Sequence, residues 1–69
     1  MTKQIIGSRI KIARINKNLT QMELCKLAEI DEISLDEYES GLDEPSLKEI
    51  KDIAIALSIS TDYIFGRID

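Results

Sequence analysis

Apolar residues recur along this chain at steps of three and four, the spacing of one helix face, and polar clusters interrupt them every ten to fifteen positions. Ile6, Ile10 and Ala13, with the stem of Lys17, share one face of a first segment running from about Gln4 to Asn16. Arg9 and Lys11 lie outside that face. The segment stops at Lys17-Asn18, where asparagine suits a left-handed C-terminal cap. Thr20 opens a second segment. In "TQME" Thr20 is followed three residues later by Glu23, a capping box that satisfies backbone N–H groups otherwise left unpaired. Leu24, Leu27 and Ala28 form its predicted inner stripe.

A turn around Glu29-Ile30 leads to Asp31, an N-cap for a third segment that ends before Gly41 and turns Leu35 and Tyr38 inward. Pro45 and Ser46 start a fourth segment. Ser46 and Glu49 repeat the capping box, and Leu47, Ile50, Ile53, Ala54 and Leu57 keep helical period. Ser60 caps a last segment, Thr61 to Phe65, closed by Gly66. Ile33, Ile55 and Ile59 fall off these stripes and must face a neighbour or solvent. The pattern predicts an all-α fold, five helices around one core, with 1–69 as a single domain.

Composition agrees with that reading and narrows it. The chain has 69 residues, near the lower limit for one unstapled core. Its 43% of apolar residues is mainly Ile and Leu, with only 4% aromatic, which suits helices better than a β-sandwich. One cysteine and no histidine exclude a disulfide framework and argue against a Cys/His zinc site. Cys25, within the second segment, is expected to be a small buried hydrophobe. "MTKQIIGSRI" has no apolar core of signal-peptide length, and no run nears the roughly 20 residues that cross a bilayer. These features point to a reduced, cytoplasmic setting without membrane attachment.

Charge is unevenly distributed. Residues 1–28 hold six basic side chains against Glu23 alone, a local balance of +5, while residues 29–69 balance to −9. A surface that meets phosphate should therefore draw on the first half of the chain. The acidic half includes "DEISLDEYES", residues 31–40, with five carboxylates and no basic side chain. Its adjacent pairs Asp31/Glu32 and Asp36/Glu37 point about 100° apart on a helix, and neither a glycine-bearing calcium loop nor a histidine accompanies them. No metal, cofactor or enzymatic activity is expected.

Three fragments in this order, "IGSRIKIARINKNLTQMELCKLAEI", "LDEYESG" and "PSLKEIKDIAIALSISTDYIF", resemble the Cro/cI-type (XRE) helix-turn-helix transcriptional regulators over nearly the whole chain. The resemblance implies a compact lambda-repressor-like domain with its helix-turn-helix at about 20–40. The second helix would lie across the DNA backbone and the third in the major groove. It implies a regulator of phage or bacterial repressor type that binds an operator as a homodimer. Thr20 and Gln21 match the backbone-positioning start of helix two, and Gln21 also braces helix three. Asp31, Glu32, Ile33, Ser34 and Glu37 match base-facing positions, and Ser40 a position that touches phosphate. Arg14 and Glu39 match a structural salt bridge, and Gly41 the glycine that closes the recognition helix. The last helix and its approach commonly mediate dimerisation in the family, which points to Ile64, Phe65 and Ile68.

Base-facing sites in the family usually hold Ser, Thr, Gln, Arg or Asn, and a base often follows the glycine. Here stand Asp31, Glu32 and Glu37, then Leu42, Asp43 and Glu44. Three readings of the acidic helix remain open. It can be a solvated face on a helix that no longer binds DNA strongly. Its carboxylates can accept hydrogen bonds from cytosine N4, with phosphate attraction from Lys3, Arg9, Lys11, Lys17 and Lys26. Or it can bind a basic protein, a partner or an antagonist, which would make the domain a protein-interaction module.

Overall fold

The computed structural model describes residues 2–68 and places five helices in the expected order. These are α1 (Lys3–Asn16), α2 (Gln21–Ala28), α3 (Glu32–Ser40), α4 (Leu47–Leu57) and α5 (Thr61–Ile64). Both capping boxes form. Thr20 Oγ1 accepts from the Glu23 N–H while Glu23 accepts from the Thr20 N–H, and Ser46 and Glu49 do the same. The bond from the Thr20 N–H, then the Thr20 side chain, holds the Glu23 carboxyl below its ordinary range. Asp31 and Ser60 cap α3 and α5. Helix ends turn through the left-handed region at Asn18, as its residue type predicts, and at Gly41. Glu29 and Ser58 adopt the same conformation without glycine.

α1 packs chiefly on α3 and α2 on α4, with α5 closing the end against α1 and α4. Ile6, Ile10, Leu24, Leu35, Ile53, Leu57 and Ile64 are fully buried at the centre. Three expectations about the inner faces need correction. Leu27 is 59% exposed, and Cys25 takes its place beside Leu24 and Ala28. At 100° per residue, positions 25 and 27 flank the line from 24 to 28 on opposite sides, so periodicity does not choose between them. The packing of α3 and α4 does. Leu47, in the first turn of α4, is also 59% exposed, and Lys17 lies in solvent rather than along the core. Burial pushes the Cys25 thiol upward, away from the reactive thiolate.

α3 is tied to α4 by a contact that spacing does not reveal. The Tyr38 hydroxyl donates to the Glu49 carboxylate at 2.9 and 3.0 Å, the same carboxylate that caps α4. Burial, then the bond to Glu49, raises the Tyr38 pKa from 10.0 to about 12. The folded value lies above the ordinary one. The resulting stability is therefore complete below the unfolded pKa and is lost as pH rises through about 12. Ultraviolet titration should show one tyrosine ionising late, coincident with alkaline unfolding. In Tyr38→Phe that late step should vanish, with stability lowered by about 1–2 kcal/mol at neutral pH. An ordinary titration of Tyr38 in the folded protein would contradict the contact.

Candidate nucleic-acid interface

The start of α2 and the outer face of α3 form the candidate surface. What holds the two helices together is a polar network at the end of α3. Arg14, from α1, donates Nε to Glu39 Oε2 at 2.7 Å and a terminal nitrogen to Glu39 Oε1 at 3.0 Å. Its other terminal nitrogen donates to the Leu19 carbonyl at 2.7 Å, which secures the turn before α2. The Arg14 and Glu39 side chains are 11% and 3% exposed, so the predicted pair is nearly withdrawn from water. The bond to Glu39 raises the Arg14 pKa further above its ordinary value, against the opposing effect of burial. From α2, Gln21 Nε2 donates to Glu39 Oε1 at 3.1 Å and to Asp36 Oδ1 at 3.3 Å. Gln21 therefore braces α3, as the resemblance implies.

The network changes the meaning of the acidic stretch. Glu39 is an internal ion-pair partner. Asp36 accepts from Gln21. Asp31 Oδ2 accepts from the Ser34 N–H at 3.2 Å as the N-cap, and the hydrogen bonds from Ser34 hold its carboxyl below the usual range. Only Glu32 and Glu37, of the five carboxylates in 31–40, have no hydrogen bond or ion pair among the described residues. Glu32 is exposed, Glu37 half-buried, and Ile33 between them is 75% exposed. Ser34 is half-buried beneath the cap. Ser40 is exposed, but its hydroxyl donates back to the Glu37 carbonyl at 3.2 Å.

The basic residues sort as sharply. Arg9 stacks 4.7 Å from the Tyr63 ring and donates to the Ile68 carbonyl at 2.7 Å, so it clasps the C-terminal segment to α1. That corrects its expected part in attracting phosphate. Lys3 reaches the Leu42 carbonyl at 3.3 Å. Lys11, Lys17 and Lys26 are exposed, with Lys17 at the end of α1, three residues before Thr20. Thr20 is exposed and its Oγ1 accepts from Glu23. From Leu27 to Leu47 the chain has eight acidic residues and no basic one.

At the C-terminus the structure overturns one assignment. Ile64 is 0% exposed and completes the core, so it is unavailable to a dimer seam. α5 presents its apolar face inward to close the bundle, and Ile64 sits at the centre of that face. Phe65 is half-buried with Arg67 stacked 4.9 Å from its ring, and Ile68 is exposed. Among the described residues no cluster of ligating side chains could hold a metal ion, and no helix is long and apolar enough to cross a membrane.

Comparison with known proteins agrees with this geometry. A helix-turn-helix family model matches residues 10–64. The restriction-modification controller protein C.AhdI from Aeromonas hydrophila superposes with a TM-score of 0.86 at 30% identity, covering 91% of this chain and 96% of that one. A hypothetical transcription factor, NHTF, from Neisseria superposes with a TM-score of 0.85 at 20% identity, covering 93% and 74%. No curated protein matches the sequence. The family match spans α2, α3 and α4 entirely and reaches the last residue of α5. The chain belongs to the XRE-type helix-turn-helix family of DNA-binding transcriptional regulators.

Proposed function

We propose that the protein is a sequence-specific operator-binding regulator of phage or bacterial repressor type, acting in the cytoplasm as a homodimer. The observation that carries this reading is the internal use of Asp31, Asp36 and Glu39. It leaves Glu32, Ile33 and Glu37 as the side chains that α3 offers to a groove. Glu32 and Glu37 accept hydrogen bonds from cytosine N4, and Ile33 meets a thymine methyl. Thr20, Gln21 and Lys17, joined by Lys26 and Ser40, position the domain on the phosphates. Asp31 and Ser34 act at the cap, holding the groove end of α3 in shape.

Dimensions and charge support the dimer reading. The domain measures 26 × 23 × 20 Å, and half-sites on one face of DNA lie roughly 34 Å apart. One copy therefore reads one half-site. With Arg9 and Arg14 engaged internally, few cations per copy remain for phosphate, and a second copy doubles them. Phe65 and Ile68 are the proposed seam. The likeness to a restriction-modification controller supports a regulatory role.

The second reading, a protein-interaction module for a basic partner, is favoured by the run from Leu27 to Leu47 with no basic residue. Binding to genomic duplex fragments across a salt series separates the two. Saturable binding that weakens steeply with salt supports the regulator. No binding at about 50 mM salt supports the module. Glu37→Gln adds a finer test. A base reader should change sequence preference at one position by about 1–3 kcal/mol. Uniformly tighter binding with an unchanged preference would mean that Glu37 only repels phosphate.

A further inference from the structure

Gln21 is the first residue of α2, and both N–H donors of its side-chain amide are occupied by carboxylates of α3. The amide's orientation follows from chemistry, because turning it would set its oxygen against two anions. The two acceptors are not equivalent. Glu39 is buried and bound by Arg14 through both oxygens, so its bond to Gln21 belongs to the fold. Asp36 is exposed, and Gln21 is its one hydrogen-bond partner among the described residues. Asp36 lies one turn before Glu39 on the same side of α3, and the Gln21 amide bridges this like-charged pair.

We propose that Asp36 sets the affinity of the interface by competing with DNA phosphate for the second N–H of Gln21. The inference rests on the reading of the start of α2 as a backbone-contacting surface. A phosphate arriving at Gln21 has to displace the Asp36 carboxylate, which stays within reach and repels it. Contacts to phosphate carry no base information, so this competition lowers binding to all sequences alike. Asp36 is then a brake on affinity for every sequence, and sequence choice is left to Glu32, Ile33 and Glu37.

Asp36→Ala and Asp36→Asn separate donor release from simple loss of charge. Both remove one negative charge, but Asn keeps an oxygen that can hold the Gln21 N–H. On a mixed-sequence duplex at low salt, Asp36→Ala should bind about threefold to tenfold more tightly than Asp36→Asn, the range of one ordinary hydrogen bond. The salt slopes of the two should agree, because a neutral amide releases no counterion. In a Gln21→Ala background the gap should close, and any difference from helix propensity would persist there and be subtracted. Saturable binding with no gap, or a gap that Gln21→Ala leaves undiminished, overturns the inference alone. Absence of binding by every variant at about 50 mM salt overturns the DNA-binding reading and this inference with it.

Discussion

Arg14→Ala should be among the most destabilising single substitutions in the chain, lowering stability by about 3–5 kcal/mol. Glu39 is 3% exposed and would lose two charge-assisted hydrogen bonds, leaving a buried carboxylate with the neutral Gln21 amide alone. The Leu19 carbonyl would lose its donor at the same time. For a domain of this size each kcal/mol moves Tm by about 4–8 °C, so the expected fall is more than roughly 10 °C. A marginal protein has little beyond that to lose. Arg14→Lys should recover only part of the loss, because an ammonium cannot present the same fork to two oxygens and a carbonyl. Removing Glu39 as well should cost less than the two single changes added together, with coupling of about 0.5–3 kcal/mol. Thermal unfolding of wild type, both Arg14 variants, the Glu39 variant and the double variant measures this directly. Equal Tm values for wild type and Arg14→Ala would mean that the pair does not hold α1 to α3.

Gly7→Ala should also destabilise, with a sign opposite to the one helix propensity predicts. In the interior of a free helix, alanine is favoured over glycine by about 1 kcal/mol. Here a methyl on Gly7 would overlap the Tyr38 carbonyl oxygen and lie 3.1 Å from the Tyr38 carbonyl carbon and 3.2 Å from the Glu39 oxygen. All three are backbone atoms of α3, so no side-chain rotation relieves the clash. The two helices would have to move apart beside Glu39, the residue that Arg14 grips. A loss of about 2–3 kcal/mol is expected. Denaturant midpoints of wild type and variant would reveal it. A variant as stable as wild type, or more so, would show that α1 and α3 do not approach this closely.

The helices themselves were legible because their signals are local. Each capping box spans four residues, Asn18 and Gly41 turn the chain at single positions, and the stripes on α1 and α4 repeat within one turn. The same locality explains the errors. Leu27 and Cys25 flank one helical line, and Leu47 holds helical period while lying on the wrong side of its first turn, so only neighbouring helices decide which is covered. Ile64 lies on the last helix, where the family resemblance implies a dimer seam, but α5 closes the bundle with it and so buries it.

The candidate interface divides in the same way. Arg14, Gln21 and Glu39 were found through resemblance to a family, since 25 residues separate the ion pair and no periodicity links them. The bond from Gln21 to Asp36 gave no signal, nor did the Arg9 clasp or the bond from Tyr38 to Glu49. By itself, then, the amino-acid order determined five capped helices, their succession and an acidic third helix. Tertiary packing decided which acids that helix keeps for its own support and which it turns outward. The physical reason is range. Caps and stripes act within a turn of backbone, whereas a carboxylate's partner can lie anywhere along the chain and becomes its neighbour only when the core closes.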